Sequence, residues 1–364
     1  MDVERILAAT EDIITPVGVV DEEIVERNLA CMAKLAADNN VKLRPHAKTH
    51  KSAYMAQRQM AHGAVGLTCA TFTEAEVFAD AGVDDLLVAH PPIGKPKLER
   101  LAALTSRVKR LAVSLDDVSI AKSLPESVEV LWEVDPGQHR IGTPPGETTV
   151  KAVRELVRAI GAERFRGLIT HGGHVYAATN QKERQLAADQ EADGISTTAD
   201  MLRRAGIEVR ELSIGSTPTA GLAMRGGITE MRPGTYIYGD ANQVTLGSQR
   251  LEDCALAVVA TVASTPAPDR AVIDAGSKAL SADLRVSGLA GYGMVLARDD
   301  LAVARLSEEH AVLAAPRQIG LAIGDRLVII PAHACTTVNL HPALLLLSPN
   351  GRTPWIRVDA RGWR

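Results

Sequence analysis

The feature that most constrains this chain is an alternation. A short apolar run rich in β-forming residues is followed by an amphipathic stretch of helical spacing, about eight times over the first two thirds of the length. The apolar runs are Val41 to Arg44, Gly66 to Ala70, Leu86 to His90, Arg110 to Leu115, Val128 to Val134, Gly167 to His171, Val209 to Ile214 and Thr235 to Gly239. Between most of them lie helix-like segments: Glu23 to Asn39, Thr73 to Ala81, Lys97 to Leu104, Thr148 to Ile160 and Gln181 to Ala205. Strands joined through helices pair in parallel by crossover, and eight such units predict a (β/α)8 TIM barrel. An open doubly wound sheet uses the same units, but no glycine fingerprint follows the first strand.

The alternation stops after about Gly239. From Glu252 onward the runs CALAVVATVAS, RAVIDAGS, LAVARLS, HAVLAA, DRLVIIPAHA and LLLLSPNGRTPWIRVDAR read as strands separated by turns, an antiparallel β domain. SPNG, between Leu347 and Arg352, is a hairpin signal. The expected division is a barrel over residues 1–245 and a β domain over 246–364, with the first dozen residues able to join either. A chain of 364 residues exceeds the usual size of one domain, which agrees.

Charge and cysteine content then exclude classes of partner. A net charge of -4 with scattered basic residues leaves no footprint for nucleic acid. Cys31, Cys69, Cys254 and Cys335 form no CxxC, which suits reduced thiols in a cytoplasm. The opening MDVERILAATEDI carries acidic residues where a signal peptide has its apolar region, and the run Ala343 to Leu347 is too short to span a bilayer. A cytoplasmic protein without a membrane partner is expected.

Two segments concentrate chemistry. In RPHAKTHK, Lys48 follows the first predicted barrel strand, and the C-terminal strand ends of a barrel build its active site. A nucleophilic lysine must shed its proton, and nearby cations such as Arg44, Lys51 or a protonated imidazole favour that; a solvated basic loop has the same composition. In PAHACTT, residues i and i+2 of a strand share a face, so His333 and Cys335 could hold one divalent ion, zinc by preference or manganese or cobalt. A buried cysteine near a surface histidine is the plainer reading. The stretch SIGSTPT, after the seventh strand, offers Gly215, Ser216 and Thr217 as a phosphate cradle, or an ordinary Gly/Ser turn. His90, Asp135 with Arg140, and His171 with His174 and Tyr176 also fall at predicted strand ends.

RPHAKTHK resembles the lysine motif of the D-threonine aldolase and D-serine dehydratase family, alanine-racemase-like enzymes of fold type III that use pyridoxal phosphate. EVDPGQHRIG, HGGHVY, SIGSTPT, MRPGTYIYGDANQ, VIDAGSKALSAD, VIIPAHACTTVNL and VDARG fall in the family's order, so the resemblance covers nearly the whole chain. It implies that Lys48 is the Schiff-base lysine and that Arg140 faces the pyridine nitrogen. His171 would border the cofactor, Gly215, Ser216 and Thr217 would bind its phosphate with Tyr236 or Tyr238 nearby, and His333 and Cys335 would hold a metal. It also implies a homodimer, in which the β domain of one subunit caps the barrel of the other.

The activity so implied is metal-dependent lysis of a D-configured β-hydroxy amino acid, with D-threonine aldolase favoured and D-serine dehydratase the alternative. His174 is the expected base for the aldolase, and His171 could take that role. Some aldolases of the family carry aspartate at the position of Cys335, which keeps the dehydratase in view. Alanine racemase needs no HxC pair. Pyridoxal-phosphate homeostasis proteins lack the β domain.

Overall fold

A computed structural model describes residues 1–283 and 285–362. They form two compact units interleaved in sequence. One comprises Met1–Ala30, Thr49–Tyr54 and Thr235–Gly362, and the other Cys31–Lys48 and Met55–Gly234. The N-terminal stretch that groups with the C-terminal residues is thus thirty residues long, where about a dozen are expected to be able to join them. These residues cluster with the C-terminal sheet because the strand β1 (Val17–Asp21) pairs there.

The second unit is a parallel barrel. Its strands are β2 (Lys42–Leu43), β3 (Leu67–Cys69), β4 (Asp85–Val88), β5 (Arg110–Leu115), β6 (Glu129–Val134), β7 (Phe165–Thr170), β8 (Glu211–Ile214) and β9 (Glu230–Met231). The hydrogen-bonded order runs β2-β9-β8-β7-β6-β5-β4-β3, and bonds from Val65 N–H to the Leu43 carbonyl and Thr68 N–H to the Pro45 carbonyl close the ring. Seven of the eight expected strands match closely. The eighth is Glu230–Met231, whereas Thr235–Ile237, expected to be strand, winds into a turn of 3-10 helix.

Inside the barrel the alternation of side chains stacks three layers. The lowest is ionic: Arg44 pairs with Glu230 at 2.7 Å and Asp85 at 2.8 Å, and Arg166 pairs with Glu211 at 2.6 Å. Two residues further along their strands, Leu87, Ala112 and Leu131 join Ile169 in an apolar layer. Two further again come Ala89, Ser114, Glu133 and His171, all at the strand ends. Strand β7 needs an extra residue to put both Arg166 and Ile169 inside, and its register shifts where Gly167 pairs with Leu131. A Cβ at Gly167 would run into the Glu211 carbonyl oxygen, so only glycine fits that bulge.

The first unit holds a nine-stranded sheet. Strands β10 (Leu256–Ala267), β11 (Arg270–Ile273), β12 (Gly293–Val295), β13 (Ala302–Leu306), β14 (Ala311–Ala314) and β15 (Arg326–Pro331) close on themselves through the β10–β11 pairing. Strands β1, β16 (Ala343–Leu347) and β17 (Trp355–Arg357) extend it from β10. The expected antiparallel character holds for every pair but one: β1 and β16 run parallel. The SPNG hairpin forms, with Ser348 N–H donating to the Arg352 carbonyl at 3.0 Å. All four cysteines are free, and among the described residues no helix is long and apolar enough to cross a membrane.

Candidate active site

A cavity of about 380 Å³ opens at the strand ends of the parallel barrel. Its wall brings together Lys48, Arg140 and His171, as the sequence pattern expects, and adds His46, Ser114, Glu133 and Arg232. The layering explains the additions: Glu133 lies two residues beyond Leu131 on β6, and Arg232 two beyond Glu230. The period of two along the six residues of β6 points to Glu133, whereas the two residues of β9 show no period from which Arg232 could be read.

Three cations, Lys48, Arg140 and Arg232, therefore surround one space. Arg232 is buried and donates to the Ser213 hydroxyl at 2.6 Å and to the Thr170 carbonyl, both neutral groups. Burial, with the charges of Lys48 and these arginines, holds the imidazoles of His46 and His171 well below the ordinary histidine value, so both are neutral. His90 stands exposed at the rim, where Lys97 donates to its Nε2 at 3.2 Å.

Arg140 is carried on a loop folded back onto β6. Asp135 accepts from the amides of Gly137 at 2.9 Å and His139 at 3.1 Å, and against the cost of burial these donors hold its carboxyl below the usual range. Gly142, with φ of +105°, lies against the Glu133 side chain, where a Cβ would crowd the Asp135 amide at 2.8 Å.

Burial pushes the Glu133 carboxyl up to about 7, against the pull of Arg232 and Arg140. A carboxyl whose folded value lies above its unfolded one destabilises the fold once it ionises. Glu133→Gln is therefore expected to raise stability at about pH 8 by on the order of 3 kcal/mol. That gain should shrink as the pH falls from about 7 toward 4.5. Urea midpoints of both proteins at the two ends of this window check it, and an equal gain at both would contradict the assignment.

The loop after β8 is differently arranged from a free cradle. The Gly215 amide donates to Glu191 at 3.0 Å, and Thr219 donates to the same carboxylate at 2.7 Å, so Glu191 of the helix Gln181–Arg204 anchors the loop. The Ser216 hydroxyl shares a hydrogen with Thr219 at 2.8 Å, and Thr217 opens the short helix Thr217–Ala220. The Thr170 hydroxyl, at the end of β7, is buried without a partner.

His174 does not line the cavity. It lies in the 3-10 turn Gly173–Ala177, within 3.9 Å of where a Cβ on Gly137 would stand, and both its ring nitrogens are buried without partners.

In the unit of the nine-stranded sheet, Tyr236 and Tyr238 are buried. The Tyr238 hydroxyl has no partner, and burial pushes its phenol up. His333 and Cys335 are close, but not as strand neighbours. β15 ends at Pro331, His333 caps the helix Ala334–Leu340, and Cys335 lies in that helix's first turn. Asp240 explains the change, because its carboxylate accepts the Ala334 amide at 2.9 Å and starts the helix where a strand was expected.

His333 Nδ1 pairs with Asp283 at 2.6 Å, and Cys335 Sγ lies 3.1 Å from the Thr49 hydroxyl. Burial works against charge on His333, but the Cys335 sulfur and Asp283 raise its pKa well above the ordinary value. Among the described residues no group of three or more His, Cys, Asp or Glu side chains forms a metal cage. An ion at the His333 and Cys335 pair would therefore keep positions for water or substrate, and a histidine oriented by a carboxylate is what a metal site uses.

Comparison with known proteins bears on the whole chain. The family model described as "Alanine racemase, N-terminal domain" matches residues 20–242, and "Putative serine dehydratase domain" matches residues 255–347. The chain is 34% identical to D-threo-3-hydroxyaspartate dehydratase of Delftia sp. strain HT23, over 96% of this chain and 98% of that one. It is 31% identical to D-threonine aldolase of Arthrobacter sp., over 96% and 93%. A solved structure of a D-threo-3-hydroxyaspartate dehydratase, a cysteine-to-alanine mutant in the metal-free form, superposes with a TM-score of 0.87 at 32% identity, covering 96% of this chain and 98% of that one. Barrel, closed sheet and full-length similarity agree: the chain belongs to the D-threonine aldolase and D-serine dehydratase family, of the alanine-racemase-like fold.

Proposed function

We propose that this protein is a metal-dependent pyridoxal-phosphate lyase of D-β-hydroxy amino acids. One observation carries the reading. A lysine amine, two arginines and two neutral imidazoles wall a cavity at the strand ends, in a chain similar over its length to lyases of such substrates. The residues present fit the cofactor. An anionic aldehyde suits three cations, Lys48 is an amine able to hold its aldehyde carbon covalently, and the Thr170 hydroxyl, buried without a partner at the end of β7, is a donor that a ligand in the barrel would satisfy. Ser216 and Thr217, with Gly215 pinned by Glu191, are the candidates for its phosphate, and Arg140 for its pyridine nitrogen.

When bound, the cofactor supplies an electron sink at the substrate's α-carbon. A metal at His333 and Cys335 supplies Lewis acidity for a hydroxyl, and the metal-free cysteine mutant of the similar dehydratase supports that pair. The chain's own groups do the rest. Arg140 and Arg232 would offset anionic charge, and the Lys48 amine would hold and return a proton beside them. An imidazole of the His171 to Tyr176 segment takes the hydroxyl proton. His174 is the choice from sequence.

Retro-aldol cleavage to glycine and an aldehyde is the first reading. Dehydration to a keto acid and ammonia is the second, favoured by the 34% identity to a dehydratase. The test is to supply D-threonine, D-serine and D-3-hydroxyaspartate with a divalent metal and to quantify glycine and aldehyde against keto acid and ammonia. Aldehyde with equimolar glycine is expected. Keto acid alone establishes the dehydratase, and no product from any of the three overturns the lyase. A homodimer in a cytoplasmic setting completes the proposal, and sedimentation of the purified protein checks the dimer.

A further inference from the structure

The cavity wall holds two neutral imidazoles whose tautomers are set by the backbone, and they are set oppositely. His171 Nδ1 lies 2.7 Å from the Gly215 carbonyl oxygen, a group that only accepts, so Nδ1 carries the hydrogen and Nε2 presents a bare lone pair. His46 Nδ1 receives the Lys48 amide N–H at a long 3.5 Å, a group that only donates, so Nδ1 is bare and Nε2 carries the hydrogen. Each imidazole therefore offers its second nitrogen for a different task, one accepting and the other donating.

We propose that His171 is the proton acceptor for the substrate's β-hydroxyl in this cavity, with His46 as the complementary hydrogen-bond donor. This rests on the lyase reading above and deepens it. In the step, the substrate O–H bond breaks and an N–H bond forms at His171 Nε2; the pair left on oxygen becomes the carbonyl π bond, and the Cα–Cβ pair stays with the α-carbon, where a bound cofactor would delocalise it until that carbon takes up a proton and leaves as glycine. The Nδ1 hydrogen remains with Gly215, so the ring gains a proton without turning.

His174 has two buried nitrogens without partners but does not border the cavity, whereas His171 does. The groups facing His171 are Lys48, Arg140, Arg232 and His46, with Glu133 in the same wall and Glu191 behind the Gly215 loop. Their net positive charge keeps His171 unprotonated, and the same charge expels the transferred proton promptly after the bond breaks.

The experiment uses the full-length, cofactor-loaded protein. His171→Asn keeps an N–H where Nδ1 stood, and so keeps the Gly215 bond, but removes Nε2. Its visible absorbance and KM should stay close to wild type, while kcat for the favoured substrate falls about 10²–10⁴-fold. In parallel, nitrogen-15 spectra of histidine-labelled wild-type protein should show His171 at neutral pH with the hydrogen on Nδ1 and His46 with it on Nε2. A His171 hydrogen found on Nε2, or a His171→Asn variant within threefold of wild-type kcat, would overturn the proposal. Both results are read on a wild-type enzyme that turns over substrate, whereas failure of the lyase reading shows as a wild type without turnover.

Discussion

Lys48→Ala is expected to leave a folded but colourless protein whose turnover of D-β-hydroxy amino acids drops to the background rate, a loss of at least about 10⁴-fold. The size follows from what the amine does. It lies in the cavity wall with Arg140, Arg232 and two uncharged imidazoles, and among the described residues no other amine lines that wall to replace it. Absorbance of the protein mixed with pyridoxal phosphate, followed by borohydride reduction and peptide mass mapping, checks the attachment directly. Wild type should carry the reduced tag on Lys48 and the variant none. A tag on another lysine, with turnover intact, would remove the basis of the proposed chemistry. Circular dichroism of the half-buried Lys48→Ala variant separates this from misfolding.

The second large effect concerns the other unit. His333→Ala should retain the colour of bound cofactor yet lose the metal, with turnover down roughly 10³-fold, the equivalent of the several kcal/mol that a Lewis acid supplies. Asp283 fixes the ring through Nδ1, leaving Nε2 for an ion beside the Cys335 sulfur. Metal content by plasma emission after dialysis, against wild type, is the readout that does not depend on activity. Equal metal in both proteins would place the ion elsewhere, and chelation of the wild type should reproduce the loss of turnover.

How legible all this is from sequence depends on the kind of contact involved. The barrel is legible because strand and helix periods repeat locally: Arg110–Leu115 is read to the residue, and the helix Glu147–Ile160 to within one. Lys48, Arg140 and His171 are legible because a barrel puts its strand ends at one face. Arg232 and Glu133 are overlooked because their place in the wall depends on which residues of β6 and β9 face inward, and β9 is too short at two residues to show a period. The eighth strand is misplaced for the same reason. TYIYG looks like a strand by composition, yet Gly239 takes a φ of +64° and the segment turns. The strand expected at His333 fails because a residue almost a hundred positions away, Asp240, caps the helix that begins there. His174, the base expected from sequence, stands outside the wall by three residues of a loop whose path no local pattern encodes.

The position of β1 has a consequence for how the chain is made. Val19 pairs with Ala257 on one side and with Leu345 on the other, so neither neighbour exists when this strand leaves the ribosome. Val17–Asp21 must wait unpaired while the parallel strands, each joined to the next through a nearby crossover, assemble in order of synthesis. Completion of the nine-stranded sheet is thus a late event, and a nascent chain stalled before Ala343 holds an apolar strand with one side open.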